Sequence, residues 1–99
     1  MLQAQIFIDL EELKGSQPLH DYIVQFLVEQ GISGATSFKG YTGFGANNKI
    51  KKPNDIFSFD EPPMMITFID EDEKVRSAIT ALRKEVKRGF IVVHNVEKI

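Results

Sequence analysis

Ninety-nine residues, 42% hydrophobic and 26% charged, suffice for one folded domain and leave no room for a second. Fourteen acids against twelve bases give a net charge of −2, which provides no general attraction to nucleic acid or to an anionic membrane. The absence of cysteine excludes disulfides, thiolate metal sites and cysteine nucleophiles, and it suits a reducing cytoplasm.

Residues 1–99 are read as a single domain. Leu2, Ala4, Ile6 and Ile8 alternate with Gln3, Gln5 and Phe7, the period of a strand with one apolar face. No basic segment followed by a long apolar core opens the chain, so no signal peptide is expected and the location is read as cytoplasmic. Residues 9–17 read as a connection marked by Gly15 and Ser16. Pro18 stands where a first helical residue would, with Ser16 or Gln17 near the cap. Leu19, Tyr22, Ile23, Phe26 and Leu27 recur at helical spacing and predict an amphipathic helix over 18–30, ended by Gly31.

A second strand is expected over 32–39, interrupted early by Gly34. From Lys39 to Lys52 the chain changes character. This stretch holds three of the seven glycines and four lysines with no acid, while the rest carries eight bases and fourteen acids. Glycine lets backbone N–H groups approach a ligand, and lysine supplies a point charge, a combination suited to an anion such as phosphate. The competing reading is a hairpin loop with solvated lysines. Gly40 and Gly45 have the outer spacing of a P-loop, but Ala46 and Asn47 stand where its Lys and Ser/Thr belong. The dinucleotide fingerprint fails as well, since the glycine spacing is G-x-x-G-x-G and a Lys-rich, Pro-terminated stretch follows where a helix should begin.

Residues 54–61 read as continued loop. Pro62 and Pro63 then lead into a strand, positions where proline is tolerated, and residues 64–69 are apolar apart from Thr67, which predicts burial on both faces. The acids 70–73 open a second helix, complementing its positive end better than they would form a calcium loop. Val75, Ala78, Ile79, Leu82 and Val86 form its apolar stripe; Arg83, Lys84, Lys87 and Arg88 load its last turns; Gly89 closes it. Residues 90–96 are the last strand.

The order β-α-β-β-α-β predicts an α+β, ferredoxin-like subunit: a four-stranded antiparallel sheet with two helices on one face. Strands one and three are central in that arrangement. A third strand apolar on both faces, with Phe7 and either the Phe90/Val92 or the Ile91/Val93 set beside it, leaves an apolar sheet face that further copies of the chain must cover. Catalytic patterns are not apparent. His20 and His94 lack a second ligand at metal spacing, and Asp9 reads as a strand-ending turn residue before it reads as a base. Neither an enzyme nor a metal protein is expected.

Gly34-Ala35-Thr36, then Lys39-Gly40-x-x-Gly43-Phe44-Gly45 and Ile50, resembles the PII-like family catalogued as domain of unknown function 190. Gly15-x-x-Pro18-Leu19-His20 with Ile23-Val24, Asp60-x-Pro62, and Gly89-x-Ile91 with Asn95-Val96-Glu97 agree with it along nearly the whole chain. The resemblance implies a homotrimer of ferredoxin-like subunits, with residues 40–60 in the place of the long T-loop that contacts regulated partners. It also implies a ligand held between subunits near the base of that loop, an adenine nucleotide in PII proteins. The residues expected to bind the anion are Lys39, Gly40, Gly43, Phe44, Gly45 and Lys49; those expected to meet a partner are Tyr41, Asn47, Asn48, Lys51 and Lys52. No resident cofactor is implied. Genes of this family often adjoin those of fluoride-channel proteins of the CrcB type, so a membrane channel or transporter is the partner that the resemblance suggests.

Two departures stand beside it. Only Lys87-Arg88-Gly89 occupies the place of the classical glycine- and lysine-rich B-loop, and little chain lies beyond the last strand. A smaller or different anion is therefore an equal expectation to ATP, and Lys51 stands where the family has a histidine. Two other functions remain open. One is RNA binding on the sheet, suggested by Ile6-Phe7-Ile8 and Lys39-Gly40-Tyr41 but opposed by the acidic charge. The other is a small enzyme in the cleft between subunits.

Overall fold

The structure is a computed structural model in which residues 1–44 and 62–99 are described. The elements in order are β1 (Leu2–Asp9), β2 (Leu13–Lys14), β3 (Gln17–Pro18), α1 (Leu19–Glu29), β4 (Ala35–Lys39), β5 (Pro63–Asp70), α2 (Asp72–Glu85) and β6 (Phe90–Asn95). β4, β5, β1 and β6 form one antiparallel sheet in that order, so β1 and β5 are central. This is the expected ferredoxin-like arrangement.

The alternation of β1 decides which face is covered. Leu2, Ala4, Ile6 and Ile8 are buried with Met64, Ile66 and Phe68 of β5, and against them lie Leu19, Ile23 and Leu27 of α1 and Val75, Ala78 and Leu82 of α2. Both helices lie on this face. The expected burial of β5 on both faces is therefore not met within one chain: Met65 and Thr67 are half-buried and Ile69 is exposed. The register sets Phe38, Met65, Phe7 and Phe90 in one row across all four strands of the other face. Phe7 and Phe90 stack with centroids 4.7 Å apart, while Phe38 and Phe90 remain 52% and 58% exposed. The register also decides between the two candidate sets on β6. Phe90 and Val92 join the uncovered face, and Ile91 pairs with Ile6 on the helix side.

Several local expectations are corrected. Residues 9–17 contain the β2–β3 hairpin, whose two-residue loop begins at Gly15 with φ +64°, the left-handed backbone such loops require. Pro18 belongs to β3 and precedes the helix rather than opening it, and its ψ of 133° is extended. The second strand starts at Ala35, because Ile32 is used by the end of α1. Gly31 N–H donates to Val28 O and Ile32 N–H to Leu27 O, a Schellman closure that puts Leu27 and Ile32 in the core. α2 ends at Glu85, where Val86 turns inward with extended backbone. Gly89 lies beyond it at the entry to β6, with φ +71°. A Cβ there would collide with Phe7 O and come within 2.8 Å of Ile8 Cγ2, so only glycine lets this turn rest on β1.

Candidate functional site

The glycine- and lysine-rich stretch leaves the sheet at the end of β4. Lys39 pairs with Met64, and Gly40 N–H donates to Pro63 O at 2.6 Å. A Cβ on Gly40 would lie 2.6 Å from Pro63 Cγ and 3.0 Å from Pro63 O, which explains the glycine through close approach rather than through φ. On Gly43 it would lie 3.4 Å from Pro63 Cγ, so that glycine also passes near the proline. Pro62 and Pro63 have no N–H to offer, so the donors at this end come from the strands on either side. Leu10 N–H bonds to Pro62 O at 3.1 Å and carries the β1–β5 ladder one step further. The two feet of the stretch are thus joined to each other and to the end of β1.

Of the expected site residues, the fold brings Lys39, Gly40, Tyr41, Gly43 and Phe44 to this one end of the sheet, with Lys39, Tyr41 and Phe44 accessible to solvent. Gly45, Asn47, Asn48, Lys49, Lys51 and Lys52 lie outside the described residues. One role changes. The amide of Gly40, expected to face an anion, is already bonded to Pro63 O. Its contribution is the close approach of the feet, and Lys39, Tyr41 and Phe44 are the expected site residues that stay exposed beside them.

At the opposite end of the sheet lie two grooves that do not touch this stretch. One, of about 330 Å³, runs past Met1, Asp70 and Val96; the other, of about 440 Å³, runs along Gly34 to Thr36 beside Thr67; Ser33 and Ile69 line both. Between them Asp70, only 6% exposed, is held well below the usual carboxylate range, at about 2. The N–H groups of Glu71 and Ser33 are the largest causes; the Ser33 hydroxyl and Lys74 add to them, against the opposing effect of burial. Ser33 N and Oγ each donate to Asp70 Oδ2 at 3.0 Å, Glu71 N donates to Oδ1 at 2.8 Å, and Lys74 Nζ lies 3.5 Å away. With both oxygens satisfied, this carboxylate is a structural clasp between the end of α1 and the start of α2.

The turn after α2 is also built from contacts that sequence reasoning missed. Arg83 Nη1 donates to Val86 O and Arg88 O, and its Nη2 to Gly89 O, at 3.4, 2.9 and 3.3 Å. Lys14 Nζ reaches Glu85 O at 2.6 Å, and Arg88 Nη2 reaches Leu13 O at 2.5 Å. The basic side chains at 83 and 88 therefore hold backbone carbonyls instead of merely complementing a helix dipole. Their only sequence signal was a run of bases near a helix end. Among the described residues no group of three or more His, Asp or Glu could hold a metal ion, and no helix is long and apolar enough to cross a membrane.

The family model DUF190, described as an uncharacterized ACR, matches residues 1–98. The chain belongs to the DUF190 family. Among curated relatives, a UPF0166 protein of Aquifex aeolicus is 27% identical over 95 residues, covering 96% of this chain and 90% of that protein. A UPF0166 protein of Methanocaldococcus jannaschii is 28% identical over 76 residues, covering 76% of this chain and 68% of that protein. Among solved structures, CPII of Thiomonas intermedia, described as a nitrogen regulatory PII-like protein bound to ADP, AMP and bicarbonate, superposes with a TM-score of 0.67. It is 18% identical, and the match covers 94% of this chain and 82% of that one. A structure of CPII bound to ADP and bicarbonate gives 0.64 at 17% identity, with the same coverage. At these identities the likeness establishes the fold, and it does so over almost the whole DUF190 chain.

Proposed function

We propose that this DUF190 protein is a PII-like regulator, not an enzyme. It assembles as a homotrimer, holds a small anionic ligand between subunits beside the feet of the 40–60 stretch, and through that stretch changes its contact with a partner protein. The observation that carries this reading is the end of the sheet where Lys39, Gly40 and Gly43 are gathered beside Met64 and Pro63. A segment of +4 charge departs there from an acidic body. Its feet are fixed, so a ligand bound at the base has a rigid frame against which to order the rest. An order change of a segment by an anion is an established way to switch partner contacts.

Two further observations support the assembly and the ligand class. The row Phe38, Met65, Phe7 and Phe90 is an apolar face that a lone chain leaves to water, and a second copy offers the same row. The CPII structures contain ADP, AMP and bicarbonate, which makes an adenine nucleotide or a bicarbonate-sized anion the first ligands to test. A membrane channel or transporter is the proposed partner class, and the cytoplasm the proposed location. RNA is the weaker reading: Phe7 and Phe90 face the open side, but β5 presents Met65, Thr67 and Ile69 where stacking aromatics belong.

A thermal-shift panel of ATP, ADP, AMP, cyclic nucleotides, phosphate, bicarbonate and fluoride tests the reading. A ligand at 100-fold its dissociation constant stabilises the folded state by about 2.7 kcal/mol, a readily measured rise in Tm. The reading predicts a shift with at least one of these anions, reduced in Lys39→Glu. A flat panel at millimolar concentrations would sink it.

A further inference from the structure

Glu12 is joined to three separate parts of the chain. Its Oε1 accepts from Asp9 N–H at 3.0 Å, and its Oε2 lies 3.7 Å from Arg88 Nε. Its N–H donates to Asp9 O at 3.2 Å, and its carbonyl accepts from Leu19 N–H, the first residue of α1, at 2.7 Å. One residue later, Leu13 O takes the Arg88 Nη2 bond, and Lys14 Nζ returns from the hairpin to Glu85 O. The hairpin and the turn after α2 are thus tied in both directions. On its other side the same segment runs through Asp9 into Leu10, whose N–H holds Pro62 O, next to the Gly40–Pro63 bond.

Arg88, Leu13 and Glu12, Asp9 and Leu10, Pro62 and Pro63, and Gly40 therefore form an unbroken series of hydrogen bonds and peptide links. It runs from the turn after α2 to the feet of the 40–60 stretch. We infer that the β2–β3 hairpin is a latch: Arg88, seated on Leu13 O and beside Glu12, holds the hairpin in the position that keeps Leu10 on Pro62 and the feet closed.

The chemistry suits a latch better than a permanent strut. The Arg88 side chain is 49% exposed and that of Glu12 is mostly buried, so the guanidinium is the part that solvent or a competing anion can reach. The contact to Leu13 O is a short charge-assisted hydrogen bond, whereas Glu12 Oε2 lies beyond hydrogen-bond distance, so the carbonyl is the stronger half of the pair. Glu12 cannot follow Arg88 outward without giving up the Asp9 amide. Loss of Arg88 from its seat is therefore felt at the Asp9–Leu10 segment, and through Leu10 at Pro62. The latch rests on the proposed function for its purpose, as a second control point on the loop feet, yet the coupling exists with or without a ligand.

Hydrogen exchange of the full-length protein at backbone amides, followed by NMR or mass spectrometry, tests the coupling without any ligand. Arg88→Ala removes both contacts. Glu12→Gln keeps an acceptor for Asp9 N–H but discharges the partner of Arg88. Lys84→Ala removes a neighbouring charge outside this series of contacts. The latch predicts that exchange at Leu10 and Gly40 accelerates about tenfold in Arg88→Ala, the scale of one charge-assisted hydrogen bond, and less in Glu12→Gln. Ile6, Ile66 and the Lys84→Ala protein should remain unchanged. Acceleration confined to the hairpin, or spread equally over Ile6 and Ile66, overturns the inference. Calorimetric titration with ADP or bicarbonate on the same variants separates this result from the ligand reading: a protein that binds neither anion but shows the exchange pattern keeps the latch and loses the proposed ligands.

Discussion

Replacing Asp70 by Asn discharges the clasp between the α1–β4 connection and the start of α2, and its cost comes directly from the structure. The carboxyl group titrates at about 2 in the folded protein, against an ordinary value of 3.8. At 1.36 kcal/mol per pKa unit the charged form is favoured in the fold by about 2 kcal/mol. The side chain is shielded from direct contact with water but lies close to the surface beside a groove, so solvent screening takes part of this away. An Asn side chain keeps one acceptor, but its amide nitrogen must then face Ser33 N–H or Glu71 N–H, donor against donor. Asp70→Asn should therefore cost about 2–3 kcal/mol at neutral pH, on the order of 10 °C in Tm for a domain of this size. The sign with pH is fixed by the lowered pKa. The stabilisation from the charge is fully present above pH 3.8, falls as pH drops below it, and is gone below about 2. Thermal melts of both proteins from pH 7 to pH 2.5, at one protein concentration, should show their Tm curves converging below pH 4. A gap of constant size over that range would refute the assignment of the clasp to a charged Asp70.

Other expectations rest on single contacts. Gly89→Ala forces both a left-handed backbone and a clash with Phe7 O, and should destabilise by about 3 kcal/mol or more in chemical denaturation; a loss below about 1 kcal/mol would contradict the close approach of this turn to β1. Gly40→Ala sets a Cβ 2.6 Å from Pro63 Cγ, so it should break the Gly40–Pro63 bond, lower Tm measurably and weaken ligand binding about tenfold. Binding at wild-type affinity would show that the feet need not be closed. Lys39→Glu should reduce affinity for the bound anion by about tenfold or more at low salt, with a smaller effect at high salt, as calorimetry at two ionic strengths will report. Phe38→Glu with Phe90→Glu places charge in the apolar row of the open face and should yield a folded monomer in analytical ultracentrifugation; an oligomer that survives both changes would mean that the face is not the interface.

The arrangement of the sheet was legible because it depends on period. Leu2, Ala4, Ile6 and Ile8 alternate, Leu19, Ile23 and Leu27 repeat at helical spacing, and the structure uses each as the pattern predicts. Period cannot report which copy covers a face. The apolar run 64–69 predicts burial on both faces, yet within one chain both helices share one side and Ile69 stays open. Boundaries failed where a residue served a neighbouring element. Ile32, apolar and next to a strand, belongs to the closure of α1, and Gly89 answers to β1, to which it is remote in sequence, and not to α2. Of the site, Lys39 and its glycines stood out by composition alone. Ser33–Asp70 and Arg88–Leu13 did not, since their partners are 37 and 75 residues apart and single serines, acids and arginines leave no pattern. Even for Gly40 the sequence pointed to the residue and not to its role, because only the neighbouring Pro63 reveals that the amide is occupied.

The central claim, a small anion held between subunits, is tested most directly by isothermal titration calorimetry of ADP, AMP and bicarbonate into the wild-type protein and into the Phe38→Glu, Phe90→Glu double variant. The account predicts saturable binding to the assembled wild type, near one ligand per chain, and no heat of binding from a folded monomeric variant. Equal binding by that monomer would place the site within one chain, and no binding by the assembled wild type would remove these ligands from the account.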